Sequence, residues 1–195
     1  MTMMTNNRGY IGYQLREAQK RQEIASIFAD AQNPDDFIAG YVLCVGAKSC
    51  VVESVNTFGS FDGWFAIKLD CIVEVSMEDQ YAARLMQIAG IDRYIRRGLP
   101  DEPQFPVRPE DWHEADGVAM ALHFAMRCGC VVTCWTASDA CAGFVQQLDD
   151  LYVTMILLDF FGAACTEMKF RLLDIEMVSI RSEEEMMYEK LNAHS

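Results

Sequence analysis

The sequence lacks the features that usually identify a membrane protein or a secreted protein. No uninterrupted apolar stretch approaches the ~18 residues of a membrane-spanning helix. The N-terminal segment has no apolar region of the length that a secretory signal needs, so we expect a cytoplasmic protein with no membrane contact. In that compartment the eight cysteines are expected to be reduced thiols rather than disulfides.

Positive charge is also scarce, and its distribution is uneven. Residues 1–97 hold 10 basic and 12 acidic side chains, whereas residues 98–195 hold 6 and 17, and the whole chain carries −13. Binding to nucleic acid or to an anionic membrane is therefore disfavoured, most strongly for the second half. The first half keeps a basic cluster, which leaves RNA as an alternative partner there: Arg8, Arg16, Lys20, Arg21, Arg93, Arg96 and Arg97.

Proline is rare and concentrated. Four of the five prolines fall within ten residues, at positions 100, 103, 106 and 109. Because proline removes a backbone donor and restricts its predecessor, neither a helix nor a central strand is expected there. We predict a linker over 98–112 that separates a first domain, 1–97, from a second, 113–195.

The two sides of this linker resemble each other. An offset of 103 aligns residues 36–78 with residues 139–181 without a gap and gives ten identities, among them Gly40 with Gly143 and Gly59 with Gly162. Two glycines 19 residues apart, conserved together with the apolar positions between them, indicate an internal duplication. We call the two copies the first and second repeat.

Each repeat has the pattern of helices around β-strands. Helical spacing is found before the matched region, over 13–32 and 115–127, and after it, over 78–97 and 181–192. Strand-like segments lie at 38–45, 50–57 and 64–77 in the first repeat, and the second has an additional one at 130–135. Ser182 and Glu185 have the spacing of a capping box. We therefore predict an α+β, mainly β protein of two small barrels that self-associates through strand edges.

The recurring residues resemble the Sm-like (SH3-like) small-barrel modules that occur in tandem in bacterial cytoplasmic proteins. They are Gly40, Phe58, Gly59, Asp62, Gly63, Asp70 and Ile72 in the first repeat, and Gly143, Phe161, Gly162, Asp174 and Ile175 in the second. The resemblance implies tandem barrels, each with an N-terminal helix and a closing helix. Sm-like proteins form rings by strand pairing and bind RNA, but the paired RNA-binding motifs of that superfamily are not matched.

One segment of the first repeat is a candidate binding site. Phe58, Phe61 and Trp64 flank Gly59 and the pair Asp62–Gly63, and this aromatic segment has no full counterpart in the second repeat. Such aromatic side chains either fill the core or form an interaction surface, because exposed aromatics on rigid loops anchor protein partners. Both alternatives remain open from the sequence.

The sequence predicts no catalytic residue, metal site or cofactor. Cys128, Cys130, Cys134 and Cys141 lie close together, but their spacing lacks the two ligand pairs of a structural zinc site. If residues 128–134 form a strand, Cys128, Cys130 and Cys134 share one face, as expected for small buried side chains. Three histidines provide few partners for a nucleophile. We expect a non-catalytic protein that acts through protein partners and self-association; the alternatives are RNA binding and a thiol or zinc protein.

Overall fold

The computed structural model describes residues 7–29, 37–97, 105 and 116–193. It contains helices and strands with strands predominant, which confirms the predicted α+β, mainly β class. The first repeat consists of α1 (Asn7–Arg21), β1 (Ile24–Phe28), β2 (Phe37–Val45), β3 (Ser49–Val55), β4 (Phe61–Lys68), β5 (Glu74–Ser76) and α2 (Gln80–Arg97). The second consists of α3 (Gly117–Cys128), β6 (Val131–Thr136), β7 (Ala140–Leu148), β8 (Tyr152–Leu158), β9 (Ala164–Arg171), β10 (Ile175–Ile180) and α4 (Glu183–Asn192).

The first helix is shorter than the sequence predicts. It ends at Arg21, because Gln22 adopts a left-handed backbone conformation with φ 55°, and a strand follows at Ile24–Phe28. The spacing of Ile24, Ile27 and Phe28 matches a helix, but four consecutive residues of this strand are buried. A strand buried on both faces has no period-2 alternation, so its apolar residues can imitate a helical pattern.

All ten strands form one antiparallel sheet. The strand order is β5-β1-β2-β3-β4-β10-β6-β7-β8-β9, so the first repeat's five strands are followed by the second repeat's five in the same relative order. The two sets join where β4 pairs with β10, with Ala66 opposite Val178 and Trp64 opposite Ile180. Among the described strands the ladder does not close on itself, so the two closed barrels stay a prediction.

Strand pairing follows the repeat seen in the sequence. Gly40 pairs opposite Ser54 in the first repeat, and Gly143 pairs opposite Leu157 in the second. Both glycines let a neighbouring strand approach closely: a Cβ on Gly40 would overlap the Glu53 carbonyl, and one on Gly143 would overlap the Ile156 carbonyl. Here the glycines are required by space, because any side chain would push the strands apart.

A helix covers the core of each repeat. Ile11, Leu15 and Ala18 of α1 are buried in the first core. Val118, Leu122 and Ala125 of α3 occupy the corresponding positions in the second core, which also reaches across the junction to Trp64 of β4. The predicted linker, 98–112, lies outside the described residues except for Phe105, which is buried against this junction.

Candidate interaction surfaces

The five residues of the predicted site are divided between the core, the junction and the surface. Trp64 is 2% exposed and belongs to the core, whereas Phe58 is 82% exposed. Phe61 is partly buried and packs against the same core as Trp64. Asp62 and Gly63 lie where the first repeat meets the second. Trp64 and Phe61 therefore fill the core, whereas Phe58 is exposed and stays a candidate for an interaction surface.

Trp64 is the centre of an aromatic cluster that belongs to both repeats. Its ring centroid lies 5.0 Å from that of Phe61, 5.7 Å from that of Phe105 and 5.8 Å from that of Phe124 on α3. Edge-to-face and tilted pairs at these distances are favourable beyond the area they bury. Trp64 thus stabilises the junction and is not available to a partner.

Polar contacts complete the junction beside this cluster. The Asp62 carboxylate accepts a hydrogen bond of 3.0 Å from the backbone N–H of Glu183, at the start of α4. The Asn56 side-chain amide donates to the Glu183 carboxylate at 2.9 Å. An aspartate at the N-terminus of a helix interacts favourably with the helix dipole, so Asp62 stabilises the docking of α4 on the first repeat.

Phe58 lies at the tip of a rigid loop, which we call the first tip (Asn56–Ser60). The Asn56 side-chain oxygen accepts hydrogen bonds from the N–H groups of Phe58 at 3.0 Å and Ser60 at 3.1 Å. Gly59, with φ 78°, takes a left-handed conformation that any other residue adopts at a cost, and it lies against Ile88 of α2. The loop therefore presents Phe58 to solvent in a fixed position, beside the half-exposed Ile88.

The second repeat has an equivalent loop, which is not among the predicted binding residues and which we call the second tip (Asp159–Ala163). The Asp159 carboxylate accepts hydrogen bonds of 2.9 Å from the N–H groups of Phe161 and Ala163. Phe160 and Phe161 are 78% and 73% exposed and form an edge-to-face pair at 5.5 Å. The offset of 103, which places Phe161 on Phe58, is the signal that could have identified this loop.

Closing helices support both tips in the same way. A Cβ on Gly162 would lie 2.6 Å from the Leu191 Cβ, as one on Gly59 would lie 2.7 Å from the Ile88 side chain. Leu191 and Ile88 are also related by the offset of 103. The Asn192 amide donates to the Gly162 carbonyl at 2.8 Å, which fixes the second tip to α4. Each repeat thus exposes phenylalanine and an aliphatic residue from a helix.

The cysteines near the start of the second repeat do not share one strand face. Cys128 is the exposed last residue of α3, since the helix extends to it and ends at Gly129 in a left-handed cap. Cys134 is buried on β6, where its Sγ lies 3.6 Å from the Met155 Sδ. Burial raises the pKa of Cys130 to about 12 and also raises the pKa of Cys134. These buried thiols remain protonated and are weak nucleophiles at neutral pH.

All eight cysteines are free, and four of them are buried. Within the described ranges, no three His, Cys, Asp or Glu side chains are grouped as a metal site needs. Cys141 is half-buried and lies opposite Cys134 on the neighbouring strand, and its thiol lies 3.8 Å from the Cys134 carbonyl oxygen without forming a disulfide.

Three of the basic side chains of α1, those of Arg8, Arg16 and Arg21, have local partners. Arg8 lies 3.2 Å from the Asp70 carboxylate, and Arg21 lies 3.7 Å from that of Glu17. Arg16 donates to the Gly12 carbonyl at 3.4 Å. Because carboxylates neutralise Arg8 and Arg21, this helix presents less net positive charge than its sequence indicates. The side chains of Arg93, Arg96 and Arg97 lie outside the described residues.

No helix in the described part of the chain is both long enough and apolar enough to cross a membrane. Comparison with protein-family models finds no match to the chain, and neither the curated proteins nor the solved structures contain one.

Proposed function

We propose that the protein is a non-catalytic, cytoplasmic binding protein of two Sm-like modules, which binds another protein through its two tips and self-associates. The observation that carries the proposal is the duplication of the tip. Both repeats hold an exposed phenylalanine in a loop closed by an Asn or Asp side chain, next to an aliphatic residue of the closing helix. Support for the Sm-like modules comes from the repeated strand order and from the two helices of each repeat.

The fixed geometry of the tips favours binding. Exposing a large apolar side chain to water is unfavourable, and burying one against a partner stabilises the complex by about 1.5–3 kcal/mol. Loops already held by hydrogen bonds lose little conformational entropy on association. A partner whose two apolar pockets match the spacing of the tips would bind more tightly than either tip alone permits.

The thiols support the non-catalytic and cytoplasmic parts of the proposal. Burial raises the pKa of Cys50 to about 12 and that of Cys130 to about 12, which makes them poor nucleophiles. All eight thiols are unpaired with one another, as expected in a reducing compartment. The partner proposed for the tips is a protein with apolar pockets, because each tip exposes aromatic and aliphatic carbon rather than cationic groups.

Photo-cross-linking in the native cells tests this proposal. A photoreactive phenylalanine analogue is placed at Phe58, at Phe161 or, as a control, at Leu151, which is also exposed but lies in a different turn. We expect the same partner protein to be cross-linked from both tips and not from Leu151. Phe58→Ser and Phe161→Ser should each lower the yield of that complex, while circular dichroism shows an unchanged fold.

Two results of this experiment would contradict the proposal. One is the absence of any cross-linked protein at both tips beyond what Leu151 gives. The other is a product that contains only copies of this chain, since the tips would then bind the protein itself rather than a different partner.

A further inference from the structure

The last strand of the sheet, β9, leaves one edge open. The Leu172 N–H bonds to the Leu151 carbonyl, so alternation along an antiparallel ladder directs the backbone groups of residues 166, 168 and 170 towards β8. The N–H and C=O groups of Glu167, Lys169 and Arg171 therefore point outwards, and no described strand lies beyond them. The strand is eight residues long, largely exposed, and contains neither proline nor glycine. Such an edge is a template for another strand.

The equivalent strand of the first repeat, β4, shows how such an edge is covered within the chain. Strand β10 pairs with it, and α3 packs over its face. The second repeat approaches the first closely at two glycines, Gly63 and Gly117. A Cβ on Gly63 would lie 2.6 Å from the Ile180 carbonyl oxygen and 2.6 Å from the Ser182 nitrogen, and one on Gly117 would lie 3.0 Å from the Ser49 Oγ.

A second copy cannot cover β9 in the same manner. The offset of 103 places Thr166 at the position of Gly63, and Glu167 at that of Trp64. The helices correspond at an offset of 107, with Ile11, Leu15 and Ala18 matching Val118, Leu122 and Ala125, so Tyr10 takes the position of Gly117. Thr166 and Tyr10 fill the space that the glycines leave free, and Glu167 removes the aromatic centre of the junction. Continuation of the sheet through β5 of a second copy is thus blocked.

Strand β9 is instead complementary to itself. When two copies pair antiparallel about a twofold axis at Met168, residues whose numbers add to 336 face each other. Glu167 of each copy then lies opposite Lys169 of the other, which gives two such pairs. The backbone N–H and C=O groups of both residues point outwards, as a hydrogen-bonded pair of residues requires. Opposite charges directly across two strands stabilise a sheet.

Other symmetric registers are worse. Moving the axis to residue 167 places Glu167 opposite its own copy. Moving it to residue 169 places Lys169 opposite its own copy and Glu167 opposite Arg171, whose guanidinium already donates two hydrogen bonds to Asp174 of its own chain. Like charges opposite each other destabilise a pair of strands. The charges therefore select the register centred on Met168.

Apolar side chains complete this register on the other face of the strand. Met168 faces its own copy, and Phe170 faces Thr166 of the second copy. Met168 is 44% exposed and lines a groove of about 760 Å³ together with Leu157, Phe170 and Leu173. Pairing buries Met168 and part of the groove, which adds a hydrophobic contribution to the hydrogen bonds of the edge.

We infer that β9 is the site of self-association, and that two copies pair antiparallel through β9, with Glu167 opposite Lys169, to form one twofold-symmetric sheet. This inference specifies the self-association named in the proposed function, and it makes the occupant of the edge a second copy of the same chain. Twofold dimers are the commonest closed assemblies.

Light scattering after size-exclusion chromatography, over a range of concentrations, tests the inference with charge variants. The wild-type chain should reach twice its mass of 22.1 kDa and no more. Glu167→Lys and Lys169→Glu should each raise the dimer dissociation constant by at least about tenfold, because each places like charges opposite each other. The double variant E167K/K169E restores opposite charges and should dimerise like the wild type. Mixing the two single variants should produce a heterodimer, since one supplies two lysines and the other two glutamates.

Several results would overturn the inference. A wild-type chain that stays monomeric at every concentration contradicts the proposed dimer. Species larger than a dimer would show that the sheet continues through another strand edge. If the single variants dimerise like the wild type, or if the double variant does not regain dimerisation, the register centred on Met168 is wrong. Phe58→Ser and Phe161→Ser should leave the dimer intact, so a failure of the tips as binding sites and a failure of β9 as the dimer edge are distinguishable.

Discussion

At the residue scale, Gly63 is the position where contact between the two repeats most clearly requires a residue without a side chain. Its φ of 80° lies in the left-handed region, and the chain between Ile180 and Ser182 crosses directly over its Cα. The counterpart in the second repeat, Thr166, lies on an edge strand that no other described strand covers. The same structural position thus holds glycine where the sheet continues and a β-branched residue where it ends.

We predict that Gly63→Ala lowers the free energy of unfolding by at least about 2 kcal/mol, because it combines backbone strain with overlap against backbone atoms. Urea denaturation followed by tryptophan fluorescence measures the effect, since Trp64 is buried at the junction.

Gly90→Ala is the matched control for this substitution. Gly90 lies in α2 with nothing within 4 Å of an added Cβ. Alanine there should raise stability by about 0.5–1 kcal/mol through its helix propensity. Equal effects of the two substitutions would show that Gly63 is not under the constraint described.

The candidate binding segment shows what the residues alone can and cannot predict. Its aromatic content marked it as important, and Phe58 is indeed exposed, but the sequence has no signal to separate Phe58 from Trp64. Exposure is decided by the register of β4 and by α3, which packs on Trp64 from the other repeat. A side chain's environment in this segment depends on residues more than 50 positions away.

At the scale of elements, helix α4 depends on a buried carboxylate. Glu185 is fully buried, accepts a hydrogen bond of 2.7 Å from the Ser182 N–H and accepts a second from the Ser179 hydroxyl of β10. The Ser182–Glu185 spacing predicted a capping box, and the structure contains it. The contact with Ser179 adds a link from the helix to the sheet that the spacing does not predict.

Glu185→Ala should destabilise the protein by about 1–3 kcal/mol, because the Ser179 hydroxyl and the Ser182 N–H are left buried without an acceptor. Thermal unfolding followed by circular dichroism measures the change. Glu184→Ala, an exposed position of the same helical turn, is the control and should cost less than about 1 kcal/mol. A loss for Glu184→Ala as large as that for Glu185→Ala would contradict this role.

Elements with a clear period or a clear stop signal were predicted near their observed bounds. Helix α3 begins after Asp116, whose carboxylate accepts from the Val118 N–H, and strand β6 was predicted from the segment 130–135. The residues of strand β1 are predicted as part of a helix, and this prediction is wrong. Comparison of the two repeats could have corrected it. Since β6 and β1 occupy equivalent places in the sheet, the strand found in the second repeat implies one in the first.

At the scale of the whole molecule, the pairing of β4 with β10 makes the two repeats parts of one sheet. Residues 1–97 and 113–195 each contribute five strands to this sheet, and their division into two domains stays a prediction. The junction between the two sets of strands could not be predicted. Every strand edge offers the same backbone groups, so the sequence of a strand says little about its neighbour. The choice of partner follows from close contacts at Gly63 and Gly117, which only the folded chain reveals.

Whether a strand edge is covered or open is also reflected in the charges that the strand carries. Strand β4 carries Trp64 and Ala66 where it is covered by the second repeat, whereas β9 carries Glu167 and Lys169 at the same places. Charged residues on a strand edge prevent non-specific pairing, and a matched pair of opposite charges permits one specific register. Phe58 and Phe161 lie outside this edge, so the proposed partner binding and the proposed self-association use different residues.

Amide hydrogen exchange along β4, measured by NMR, tests the shared sheet most directly. The Glu167→Lys variant is suitable because its β9 edge stays open and provides an internal reference. The N–H groups of Trp64 and Ala66 point towards β10, so they are predicted to be as protected as those of Phe65 and Ile67, which point towards β3. Exchange of Trp64 and Ala66 as fast as that of the outward amide of Lys169 would contradict the pairing of the two repeats.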